Sequence, residues 1–164
     1  MLKREYILPL VIAAALVLLP AKAGGGEKSY LGRDHLPRGI RNNNPGNLKI
    51  GPSPWQGKIP VAMNTDGVFE QFETWQFGVR AMVKLILNYI AAGRDTIREV
   101  VERYAPGSEN DTAGYIQFVA NRAGLSPDEK LGPENLYPVI DAMVAIENGE
   151  QWGITYQEYF NSLS

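Results

Sequence analysis

The chain contains no cysteine and only one histidine, His35. The first absence excludes disulfides, thiol nucleophiles and Cys-based zinc sites, and the second excludes a His-rich metal centre. No metal and no cofactor is therefore expected, and any chemistry falls to carboxylates and amides. Strong charge of either sign is also missing, since the formal net charge is −2. Setting residues 1–23 aside leaves 13 basic and 17 acidic residues. Such a balance offers no counterpart for phosphate backbones, so nucleic acid is not an expected partner. There is no internal repeat. Hydrophobic residues make up 45% and charged residues 21% of the 164, enough apolar material for one globular core.

One long uncharged apolar run is present, YILPLVIAAALVLL at residues 6–19, preceded by Lys3 and Arg4. With Ala21-Lys22-Ala23 behind it, the run has the three regions of a signal peptide cleaved before Gly24. Counted to Ala23, it also approaches the roughly 17 residues that a membrane-crossing helix needs, with Lys22 free to snorkel. Either reading predicts an N-terminal hydrophobic helix at residues 1–23, as an anchor or as a leader. Residues 24–38, opening on three glycines, read as a linker, and His35 within it as a solvated side chain. Residues 39–164 read as the folded domain.

Residues 39–67 are crowded with asparagine, proline and glycine, the composition of turns. Two short strands are expected at 59–63 and 68–72, joined in a hairpin at Asn64-Thr65-Asp66-Gly67. Helical periodicity governs the rest. Residues 74–92 repeat apolar side chains at three- and four-residue steps and end at Gly93. Thr96-Ile97-Arg98-Glu99 has capping-box spacing for a helix stopping before Pro106. Asp111 or Thr112 caps a third helix that ends at Gly124. A fourth covers 135–148, and Thr155-Tyr156-Gln157-Glu158 opens a last one bearing Tyr159, Phe160 and Leu163. The expected fold is mainly α (α+β), a helical bundle with a small loop and hairpin lobe.

The densest polar motif is GIRNNNPGNLK at residues 39–49, with Asn42, Asn43, Asn44 and Asn47 inside six residues. Asparagine side chains commonly close local turns. They also donate and accept together, as sugar hydroxyls and N-acetyl groups require. Trp55 is placed to stack on a sugar ring or to plug the core beneath the loop. These four asparagines, Trp55 and Arg80 are the candidate binding residues, Arg80 having the alternative of bonding loop carbonyls.

This motif, followed by Trp55-Gln56-Gly57, by FEQFET at 69–74, by Gly78-Val79-Arg80-Ala81 and by Tyr104-Ala105-Pro106, resembles a family of phage virion structural proteins marked by a GIRNNNPGN signature. With the N-terminal apolar segment, it looks most like a minor structural protein of tailless, membrane-containing corticoviruses. The resemblance implies a virion location, a lipid membrane met through residues 6–23, and other virion proteins as partners. A weaker likeness to lysozyme-like glucosaminidases implies a lysozyme-like fold and peptidoglycan as a further partner. A secreted wall-cutting enzyme released to the periplasm after cleavage at Ala23 is the alternative. Glycan cleavage needs a carboxylic acid with a raised pKa, and in lysozyme-like enzymes it ends a helix before the hairpin lobe. Here that segment is the linker. The candidate catalytic carboxylates are therefore Glu70, with Asp66 or Glu73 as its polar partner. Each has a bland alternative: Asp66 as a turn residue, Glu70 on a solvated strand, Glu73 as a helix cap. Glu109, ahead of the third helix, has the same capping role open to it.

Overall fold

The structure is a computed structural model that describes residues 28–107 and 111–164. The apolar segment at 6–23 and Glu109 lie outside the described residues. Six α-helices and one 3-10 turn make up the order: α1 Arg38–Arg41, a 3-10 turn Val61–Met63, α2 Trp75–Ala91, α3 Ile97–Tyr104, α4 Thr112–Ala123, α5 Leu136–Asn148 and α6 Tyr156–Ser162. The expectation of a mainly α fold holds. No helix among the described residues is long and apolar enough to cross a membrane.

The helix ends follow local chemistry. Thr74 accepts from the Phe77 N–H to start α2, and Thr96 does the same for Glu99 in α3. Glu99 does not complete its box on the Thr96 amide; its carboxylate takes the Asp95 N–H at 3.1 Å instead. Asp111 caps α4 through the Gly114 N–H, and Gly124 closes that helix at φ +70. Thr155 and Glu158 form the full reciprocal box at α6. These side chains satisfy amides that a helix start leaves without partners.

α2 packs against α6, α4 against α5, and α3 against α4. Their shared core includes Met82, Ile86, Ile97, Val100, Val119, Ile140 and Met143. A smaller apolar cluster of Leu48, Phe72 and Ala81, flanked by Trp55, Phe77 and Leu85, lies under the turn-rich lobe. Within the stretch read as a linker, Tyr30 and Leu36 pack onto the bundle, while residues 31–35 are exposed. Tyr30 meets Trp75 and Trp152 edge-on at 5.4 and 5.9 Å. His35 is exposed.

The hairpin expected at 59–63 and 68–72 is not formed, and no strand exists among the described residues. Pro60 opens a turn in which the Met63 N–H reaches its carbonyl, so 61–63 coil rather than extend. Asn64 then accepts from the Asp66 and Gly67 amides, and its own amide donates to the Phe69 carbonyl. Side-chain bonds thus replace the ladder a hairpin would supply. Segment 68–73 instead bridges two other stretches antiparallel, Lys49 to Phe69 and Lys58 to Phe72. In the last helix Tyr159 faces inward, while Phe160 and, at the C-cap, Leu163 are exposed.

Candidate functional site

The asparagine turn faces inward. Asn42, Asn43 and Asn44 are 2%, 0% and 0% exposed, so none offers an amide to a ligand. Asn43, at φ +52, takes the Tyr30 N–H on its carbonyl and donates to the Phe72 carbonyl and the Ser29 hydroxyl. Asn44 accepts from Leu48 N–H and donates to the carbonyls of Leu48 and Glu70. Asn42 donates to Asp66 and accepts from the Gln71 amide. Every one of these groups closes the fold on itself, as buried polar groups must. Two glycines let the turn seat: a Cβ on Gly78 would collide with the Asn43 carbonyl, and one on Gly39 with Asn148.

The nominated carboxylates are likewise occupied. Glu70 is fully buried, 2.7 Å from the Lys58 ammonium, and takes the Gly51 N–H at 3.0 Å. Lys58 also donates to the Gly51 carbonyl at 2.7 Å, so the pair fastens the loop at 51–58. Asp66 meets Arg38 through two bonds, 2.7 and 2.8 Å, and accepts from the amides of Val68 and Phe69. These bonds, Arg38 foremost, hold its carboxyl well below the usual range. Glu73 is exposed, and Thr74 rather than Glu73 caps α2. Trp55 is half-buried against the Leu48 and Phe72 cluster. Arg80 bonds neither a ligand nor the asparagine turn but the carbonyls of Ser162 and Ser164 beyond it. These five residues and the three buried asparagines do not converge on one open site.

A different cleft, of about 430 Å³, opens between the turn and the helices. Asn47, Leu48, Phe69, Leu85, Tyr89, Tyr104 and Glu147 line it. Asn47 is the one member of the asparagine set that reaches it. Its amide donates to Glu147 at 2.9 Å, and the Tyr115 hydroxyl donates to the other Glu147 oxygen at 3.0 Å. Tyr104 donates to the Gly46 carbonyl. Burial pushes the Glu147 carboxyl above its ordinary value, against the opposing pull of Asn47 and Tyr115. Burial also pushes the hydroxyls of Tyr104 and Tyr115 well up, and the Glu147 charge adds to it. Chemically, this is a carboxylic acid inclined to keep its proton, with phenols beside it and an aromatic wall at Tyr89 and Phe69.

Glu147 was absent from the candidates read from the sequence. A signal was there. It stands one residue from the end of α5, where the helix dipole disfavours a carboxylate, directly after an apolar run. Among the described residues, no group of His, Cys, Asp and Glu is arranged to hold a metal.

No protein-family model matches the chain. The chain is 40% identical over 125 residues to Protein P5 of Pseudoalteromonas phage PM2, an alignment covering 74% of this chain and 76% of that protein. A phage family, as the ordered motifs from Gly39 onward imply, is thereby supported. The chain belongs to the family of Protein P5 of phage PM2.

Proposed function

We propose that the protein is a structural component of a membrane-containing phage virion, held to lipid through residues 6–23. Its body at 39–164 serves as an assembly and envelope-contact module among other virion proteins, with residues 24–38 joining the two. The observation that supports this most is the inward spending of polar groups. Asn42–Asn44, Asp66 and Glu70 are all committed to internal bonds. Such a lobe is built to keep a shape. Kinship with a phage protein supplies the setting. Mass spectrometry of purified particles, before and after detergent extraction, tests the reading. The chain is expected in the lipid-containing fraction, and its absence from particles overturns the proposal.

Glu147 favours a second reading, in which the cleft binds or cuts glycan. A carboxyl whose burial favours the proton-bearing form, beside an aromatic wall, is the kind of acid that glycoside cleavage requires. In this reading Glu147 replaces Glu70 as the acid, Asn47 orients it, and peptidoglycan is the substrate. Zymography of the full chain beside Glu147→Gln is the test. Clearing that disappears in the variant is expected; no clearing between mild acid and neutral pH rejects cutting. Muropeptide affinity without clearing would leave a glycan-binding module.

A further inference from the structure

Three exposed apolar side chains lie on one stripe of α6: Tyr156 at 62%, Phe160 at 51% and Leu163 at 39% exposure. Their spacing of four and then three residues puts them on one helix face, flanked on its inner side by Tyr159 and Ser162, which are buried. Tyr156 stacks on Phe160 at 6.4 Å and meets Tyr137 edge-on at 5.4 Å, so the stripe widens into an aromatic row. Within 155–164 the sole charged side chain is Glu158, and Lys28 neutralises it at 3.0 Å. Two cations of α2 stand at the end of the stripe. Arg80 donates to the Ser162 carbonyl at 3.1 Å, and Lys84 to Leu163 at 3.3 Å.

The place where the chain joins the body decides what covers this face. Lys28 is fixed beside α6 by its bond to Glu158, and its carbonyl takes the Trp75 N–H at 2.8 Å. Only residues 24–27 separate it from the apolar run that ends at Ala23. Four residues span at most about 14 Å, against a headgroup layer roughly 6 Å deep on each side of the hydrocarbon. A body on so short a leash must rest near the bilayer, with α6 among the elements nearest to it. Tyrosine and phenylalanine beside cationic side chains match the interface between headgroups and acyl chains.

We propose that the α6 stripe of Tyr156, Phe160 and Leu163 is a second, peripheral membrane contact, lying on the phospholipid surface next to the point where the chain leaves it. This rests on the reading that residues 6–23 hold the chain to a bilayer. Its consequence is a fixed orientation, since one tether permits rotation and a second contact removes it. The Asn47–Glu147 cleft lies between the turn, α3 and α5, with Leu85 and Tyr89 of α2 on its wall, and none of its lining residues belongs to α6.

The natural absence of cysteine makes the test direct. An environment-sensitive fluorophore is attached to Asn161→Cys beside the stripe, or to Gln117→Cys on α4, in the full chain. Each is reconstituted in vesicles of equal phosphatidylcholine and phosphatidylglycerol containing lipids spin-labelled near the headgroup. Several-fold stronger quenching at 161 than at 117 is expected. It should fall to the level at 117 when Tyr156, Phe160 and Leu163 are all changed to serine, with vesicle flotation retained. All three are exposed, and unchanged circular dichroism would verify the fold. Flotation with equal quenching at both sites overturns the stripe contact and leaves the tether standing. Failure to float overturns the tether and the contact together. Crosslinking between chains at 161 without quenching assigns the face to a second copy and overturns the proposal.

Discussion

The turn-rich lobe at 42–74 and the helical bundle behind it achieve order by opposite means. In the bundle, α4 and α5 press Val119, Ile140, Met143 and Val144 together, and shape and volume set the contacts. In the lobe, buried amides and carboxylates bond to main chain, and Leu48, Phe72 and Ala81 provide only a small apolar cluster. Apolar packing tolerates exchange among residues of like volume. A buried hydrogen-bond network does not, because each lost partner leaves another group without one. The lobe should therefore be the more brittle half under substitution.

The largest expected effect is Asn43→Ala. It strands the Tyr30 amide and two carbonyls in a fully buried place and should cost about 4–5 kcal/mol in urea unfolding. Next comes Lys58→Met, which leaves the Glu70 charge buried and alone, at about 4 kcal/mol. Adding Glu70→Leu should recover most of that loss, and failure to do so would show that the loop needs the charge itself. Ile140→Ala in the bundle should cost about 3 kcal/mol, while Ile140→Leu stays under about 1.5 kcal/mol. A lobe that accepts like-for-like exchange as easily as this would erase the contrast.

Two smaller effects carry a sign in pH. Asp66 ionises in the folded protein below its ordinary value of 3.8. Its contribution is present above that value and is lost as pH falls through the native one. Asp66→Asn should cost about 2 kcal/mol near neutrality and show a flatter acid limb in stability against pH. Glu147 has the opposite sign, because its folded value lies above the ordinary 4.5. Its contribution is full below that pH and fades as pH rises through the native value. Relative to Glu147→Gln, the natural protein should lose stability from acid to neutral pH. The variant itself should differ by about 1 kcal/mol.

The helices were legible because their signals are local. Thr74, Thr96, Asp111, Gly124 and Thr155 mark ends that the structure reproduces within a residue or so. The direction in which the asparagines face was not legible. An asparagine that caps a turn inward and one that greets a ligand have the same neighbours in sequence. What separates them here is distant: Asn43 meets Phe72 and Asn47 meets Glu147. The hairpin failed for a related reason. Pro60 and Asn64 offered the chain a coiled alternative, and segment 68–73 found partners at 48–50 and 57–59 instead. The solvated strand face that stands beside the catalytic reading of Glu70 does not form, because Lys58 across the loop draws the carboxylate wholly inside. Phe160 and Leu163 fit the apolar rhythm of α6 and still point outward, since rhythm alone does not say what lies opposite.

The bonds that lock the turn to α5 carry a consequence for the order in which the molecule is made. Asn148 donates to the Pro45 carbonyl at 2.7 Å, and Asn47 reaches Glu147, a hundred positions further along. During synthesis the GIRNNNPGN segment emerges early and then waits, its last partners still untranslated. Until α5 leaves the ribosome, Asn47 has no Glu147 to meet and the cleft has no floor. A nascent chain halted after α4 can hold helices, but the turn-to-α5 clasp closes only once α5 arrives.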